Sequence, residues 1–235
     1  MNTVQKPKLF QYAVCPFCQK VDAILAYKKV PFEAVEVHPL NKKEIGFSEN
    51  YKKVPIYIDQ EGRQINDSTP IMRNIDSTYP DRPVFETDQA AKAKEDQWLK
   101  WSDEVLVSSL PPLVYRNIKD ACKAFGYIAN VGKFSPFQKM AIKYSGAVVM
   151  TMVAKKSAKK KNIADPVRHF KNCLTEWEKA LEGGKYLNGH KANGADLAVF
   201  GILKSIRNLP AFKYVEENQT VYEWYQRIEN DVNCN

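Results

Sequence analysis

Lys8-Leu9-Phe10-Gln11-Tyr12-Ala13-Val14-Cys15-Pro16-Phe17-Cys18 joins a strand-like run to two thiols spaced about one helical turn apart. Lys8 to Tyr12 reads as a strand ending at the Cys-Pro-Phe-Cys turn. From Cys18 to Lys29 the apolar residues Val21, Ile24, Leu25 and Tyr27 recur near helical period. Pro31 stops that helix, and Phe32 to Val37 alternates as a second strand does. Strand, helix and strand in this order imply parallel pairing through a right-handed crossover.

Downstream the pattern continues. Lys42 to Glu49 fits a second helix, and Val54-Pro55-Ile56-Tyr57-Ile58 and Arg63-Gln64-Ile65 read as strands joined across Asp59-Gln60-Glu61-Gly62. Asn66-Asp67-Ser68-Thr69-Pro70 carries helix-capping residues, with Pro70 suited to the first turn of a helix that runs to about Thr78. The resulting order is β-α-β-α-β-β-α. Pro80 to Thr87 reads as a linker, and every long segment beyond it is helical: about 88–107, 115–131, 134–160, 163–183, 194–207 and 219–230. The expected fold is α/β plus all-α: a thioredoxin-like domain over 6–85 and a helical domain over 88–235.

Composition narrows the function classes. The 235 residues are 44% hydrophobic and 26% charged, ordinary globular values, and five cysteines are too sparse for a disulfide-stapled scaffold. Met1 to Pro7 has no apolar core, so no cleavable secretory signal is expected, and no window has the roughly 18 apolar residues of a membrane span. The expected location is mitochondrial or cytosolic, peripheral to a membrane. Net charge is +8, but Lys155, Lys156, Lys159, Lys160 and Lys161 concentrate much of it. Nucleic acid would favour a broader basic surface with aromatics interleaved, so no nucleic-acid partner is expected.

Cys15 stands where a strand becomes a helix. Unpaired backbone N–H groups and the helix dipole stabilise a thiolate there, and Cys18, one turn on, can resolve a mixed disulfide. Pro16 suits the first helical position. Half of a zinc site and an accidental, inactive pair are the competing readings; Cys122, Cys173 and Cys234 are isolated and His38, His169 and His190 form no cluster, so no metal is expected. Gln19 excludes c-type haem attachment. A cis Val54-Pro55 bond would turn the Val54 backbone N–H and C=O outward beside Cys15. Asp67 and Ser68, at a helix start, either hold the charged end of a cosubstrate or simply cap.

The run Leu9 to Cys18, with Val54-Pro55 and Asn66-Asp67-Ser68, resembles the membrane-associated prostaglandin E synthase type 2 family. The likeness extends through Val35-Glu36-Val37, Lys53-Val54-Pro55-Ile56, Val114-Tyr115-Arg116, Gly132-Lys133-Phe134 and Lys143-Tyr144-Ser145-Gly146-Ala147. It implies a glutaredoxin-like domain followed by a helical glutathione-transferase domain, whose core helix is marked by the capping box Asn193-Gly194-Ala195-Asp196. It also implies Cys15 as catalytic thiol, Tyr12 hydrogen-bonded to it, and Val54, Asp67 and Ser68 holding glutathione. Haem is implied as a second cofactor. Tyr12 also reads as a strand residue packed near the turn.

Two functions follow as expectations. One is a glutathione-dependent thiol enzyme, an endoperoxide isomerase or glutaredoxin-type reductase using Cys15. The other is a non-catalytic subunit of a larger, mitochondrial inner-membrane assembly. Expected partners are a small-molecule substrate, a second copy or a membrane protein complex, and an anionic membrane surface through Lys155–Lys161. The helix leading to those lysines, through Ala147-Val148-Val149-Met150-Thr151-Met152-Val153-Ala154, reads as a core helix with a solvated basic end or as a docking element.

Overall fold

A computed structural model describes residues 5–38, 41–131 and 136–233. Gly132-Lys133-Phe134 and Cys234 lie outside the described residues. Four strands, β1 (Lys8–Gln11), β2 (Glu33–Glu36), β3 (Ile56–Ile58) and β4 (Gln64–Asn66), form a sheet ordered β2-β1-β3-β4. β1 pairs parallel with β2 and antiparallel with β3, and β3 pairs antiparallel with β4. Helices α1 (Pro16–Tyr27) and α2 (Ser68–Thr78) pack together, burying Val21, Ile24, Leu25, Ile71, Met72 and Ile75. This is the expected thioredoxin-like unit.

The expected helix over 42–49 is instead one short turn, Lys43–Ile45. Lys42 adopts a left-handed φ of 49°, and the Ser48 hydroxyl donates to the Tyr51 carbonyl at 2.7 Å, turning the chain. Ile45 alone anchors the turn in the core, too little to sustain a helix.

Beyond Thr78 the structure is helical. α3 (Gln89–Trp101) continues through a wide π-turn at Ser102–Leu106 into α4 (Val107–Val114), so the helix expected to stop at 107 runs seven residues further. Pro111 and Pro112 sit in its last turns, where their fixed φ still suits a helix. α5 (Ile118–Val131) and α6 (Pro136–Lys160) form a hairpin against α4, followed by α7 (Pro166–Leu181), α8 (Gly194–Lys204), α9 (Lys213–Glu216) and α10 (Gln219–Asn233).

The Asn193–Asp196 capping box is present. Buried Asp196 accepts from the Asn193 N–H at 3.1 Å, the Leu187 N–H at 3.2 Å and the Trp224 Nε1–H at 2.8 Å. Burial pushes its carboxyl up to about 7, against the pull of those donors. Glu95 from α3 accepts from the next amide, Gly194, at 2.7 Å.

α8 crosses α1 so closely that a Cβ on Gly201 would lie 2.5 Å from the Gln19 carbonyl oxygen and 2.7 Å from the Lys20 Cα. Neither neighbour is a flexible side-chain tip. Gly201→Val is expected to cost about 3 kcal/mol or more by chemical denaturation, the top of the range for overpacking.

Candidate active site

β1 leads into a tight turn in which the Cys15 N–H donates to the Tyr12 carbonyl at 2.9 Å. Both Ala13 backbone groups in that turn are tied down. Its N–H donates to the Glu36 carboxylate at 3.0 Å, and its carbonyl accepts from Gln19 Nε2 at 2.7 Å. Cys15 then takes the cap position of α1 in extended conformation (φ −79°, ψ 124°), with Pro16 following.

The Cys18 thiol, donating to Cys15 Sγ, does most to stabilise the Cys15 thiolate. Burial opposes it, while the Cys18 and Phe17 amides assist, and the thiol is held below its ordinary value. Sγ makes no close cap hydrogen bond, so these amides act chiefly as oriented dipoles at the helix start. Burial, and after it the hydrogen bond to Cys15, push Cys18 well up. Cys15 is half-buried and reachable; Cys18 is sealed in the core. The two thiols are thus split into one held toward the thiolate and one kept protonated as its donor.

Tyr12, Tyr51 and Val54 pack against one small cluster, Phe10, Val37, Ile45 and Ile56, beneath the thiol turn. The hydrogen bond between Cys15 and the Tyr12 carbonyl joins the two residues through the main chain. Burial first, and the nearby thiols second, raise the Tyr12 phenol. The Val54–Pro55 peptide is cis, with Val54 half-buried and Pro55 buried.

Asp67 caps α2 with φ 70°, a backbone conformation costing a non-glycine residue on the order of 1–3 kcal/mol. Its carboxylate accepts from the Ser68 N–H at 2.7 Å. Ser68 is fully buried, and its Oγ has no partner among the described residues. Tyr51 links the halves of the site: after burial, Asp67, Cys18 and Cys15 act on its phenol, pushing it up, and the Asp67 N–H opposes them.

Below this cap lies Lys20, its side chain fully buried. Nζ donates to Asp103 Oδ1 at 2.6 Å and Thr69 Oγ1 at 3.1 Å. Burial pulls the ammonium down, and Asp103 opposes that pull. One cation therefore joins α1, the first turn of α2 and the π-turn of the helical domain.

Tyr115, just past α4, has its phenol pushed up to about 12, first by burial and then by the Cys15 charge. Its neighbours Val114 and Arg116 line a cavity of about 150 Å³ with Lys123, Leu209, Lys213 and Tyr214. The helical domain thus supplies a phenol in the thiol's field, while the lining of the cavity includes neither that phenol nor either thiol.

A family model for the glutathione S-transferase N-terminal domain matches residues 9–83, and one for the C-terminal domain matches 143–233. Prostaglandin E synthase 2 of Danio rerio is 32% identical over 271 aligned residues, spanning 97% of this chain and 72% of that protein. The chain belongs to the prostaglandin E synthase 2 family. Prostaglandin E synthase 2 of Mus musculus is 31% identical over 95% of the chain and 70% of its own length. A glutathione S-transferase from Sinorhizobium meliloti superposes with a TM-score of 0.67 at 17% identity, over 97% of this chain and 91% of that one, a likeness of fold.

Around the thiol turn the structure brings together the thiols, the proline turn and the α2 cap named from the sequence with Glu36, Tyr51, Lys20, Asp103 and Tyr115, to which sequence reading gave no role. Lys20 carried a signal: it is a cation among the buried positions of an amphipathic helix. Such a cation demands a partner. Asp103 carried none, because it reaches the site from the far domain, and Tyr115 stood only within the family-like run Val114-Tyr115-Arg116, with no role attached.

Proposed function

We propose that the chain is a glutathione-dependent thiol enzyme with Cys15 as its nucleophile. One observation carries the reading: a reachable thiol stands at the start of α1, its pKa lowered by the Cys18 thiol and the Phe17 and Cys18 amides. The orphaned, buried Ser68 Oγ beside Asp67 fits a polar cosubstrate. Ser68 and Asp67 would hold the charged end of glutathione, and Val54, before the cis Pro55, would offer its backbone groups to the peptide. The relatives named prostaglandin E synthase 2 support endoperoxide isomerisation as the reaction. In that reaction the Cys15 thiolate attacks one endoperoxide oxygen, and the O–O pair leaves on the other oxygen, which takes a proton. Loss of the proton from the carbon bearing the sulfur-linked oxygen forms the ketone, and the S–O pair returns to Cys15. Haem rests on the sequence resemblance alone and enters no step.

The Cys15–Cys18 hydrogen bond favours a second reading, a glutaredoxin-type reductase. Cys15 would attack a substrate disulfide, Cys18 would displace the bound thiol, and two glutathione molecules would reduce the resulting Cys15–Cys18 disulfide, leaving as oxidised glutathione.

Thiolate absorbance against pH tests the shared claim. The Cys15 midpoint is expected below the free-cysteine value of about 8.5, and glutathione is expected to raise the thermal midpoint less in Ser68→Ala than in the parent. A midpoint at or above that value leaves the non-catalytic subunit. Cys18→Ser separates the two chemistries: its hydroxyl still donates to Cys15, so isomerase turnover is expected within several-fold of the parent. Reductase turnover that depends on an internal disulfide is lost.

A further inference from the structure

The lysine cluster plays no part in the thiol chemistry, and its helix presents an unusual face. Ala147, Thr151 and Ala154 bury one side of α6 against the hairpin and α4. On the other side Tyr144, Val148, Val149, Met152 and Val153 are between 43% and 67% exposed. At about 100° per residue these five fall within about half the helix circumference. Lys155, Lys156, Lys159 and Lys160, all exposed, occupy that same half over the next turns. Lys161 is tied back, its Nζ donating to the Glu104 carbonyl at 3.2 Å. The exposed face is therefore apolar for about two and a half turns and cationic thereafter.

We infer that this face of α6 docks on the surface of an anionic lipid bilayer, with Val148, Val149, Met152 and Val153 in the interface and the four lysines among the headgroups. Charge selects the occupant. α6 contains no Asp or Glu, so α6 of a second copy laid on this face would bring lysines and no acidic partners. A bilayer offers both parts of the match, an apolar boundary and a layer of negative charge beside it. Long lysine stems also let apolar neighbours settle while the ammonium groups stay hydrated. No described helix is long and apolar enough to cross a membrane, so the contact lies along the surface.

Co-sedimentation of the full chain with phosphatidylcholine vesicles, with and without phosphatidylserine, tests this. Binding is expected only to the anionic vesicles and to fall as salt rises. Val149→Asp/Met152→Asp, and separately glutamine at all four lysines, are each expected to weaken it on the order of a hundredfold. Both variants alter exposed residues, and an unchanged thermal midpoint confirms that each folds. Cys15→Ser binds vesicles as the parent does, which separates this surface from the thiol chemistry. Equal sedimentation of parent and both variants, or absence of binding, overturns the inference. So does a self-association, or a stable complex with an acidic protein, that Met152→Asp abolishes while vesicle binding persists.

Discussion

Cys15→Ser is expected to lower turnover by about a thousandfold or more, about 4 kcal/mol of barrier, while leaving the fold as stable as before or slightly more so. A serine hydroxyl does not ionise near neutral pH, so the substitution removes the whole nucleophilic population that the Cys18 donor and the helix start maintain. Stability moves the other way for a structural reason. Cys15 occupies the cap position of α1 without a side-chain cap hydrogen bond. Serine is among the best residues at that position, since its oxygen is short enough to accept from an amide of the first turn. Steady-state kinetics and a thermal melt on the same preparation read both effects. A variant that melts with the parent and keeps its turnover would remove Cys15 from the chemistry.

The second large effect lies in the ion pair beneath the site. Lys20 is fully buried, whereas Asp103 is 31% exposed, so the two partners are not equivalent. Asp103→Asn leaves a buried cation without its counter-charge and is expected to cost roughly 3–5 kcal/mol. Lys20→Met leaves a carboxylate that water still reaches, and is expected to cost less. The pH dependence distinguishes this from a packing defect. Burial already pulls the Lys20 ammonium down, and loss of Asp103 removes most of what opposes that pull, leaving only the Asp67 charge. In the variant the native state then favours the neutral amine while the unfolded chain stays protonated. The unfolded state binds more protons, so stability rises with pH, and the penalty is expected to shrink from about pH 6 to about pH 9. Denaturant titrations across that range check it. A pH-independent penalty would mean that Asp103 acts by shape alone. Thr69 shares the Lys20 ammonium at the first turn of α2, so the same variant is also expected to weaken glutathione-dependent stabilisation.

Local chemistry made much of the architecture legible. The alternation of Phe32 to Val37, the helical spacing of Val21, Ile24 and Leu25, and the asparagine cap at 193 each encode their element within a few residues. The turn at Lys43–Ile45 was misread because polar residues with one buried isoleucine satisfy a helical pattern without anchoring it. The continuation through Ser102–Leu106 into α4 was missed because a π-turn shifts the phase on which periodicity depends.

The sequence by itself determined where the proposed nucleophile stands. A strand, a turn and a proline-started helix place Cys15 over exposed amides, an arrangement confined to about ten consecutive residues. Only the tertiary structure decided what surrounds that thiol: Glu36 on the neighbouring strand, Tyr51 toward the α2 cap, and Asp103 and Tyr115 from the other domain. Charges and hydrogen bonds act through distance in space. Residues separated along the chain by 83 positions, as Lys20 and Asp103 are, meet only when both domains have packed.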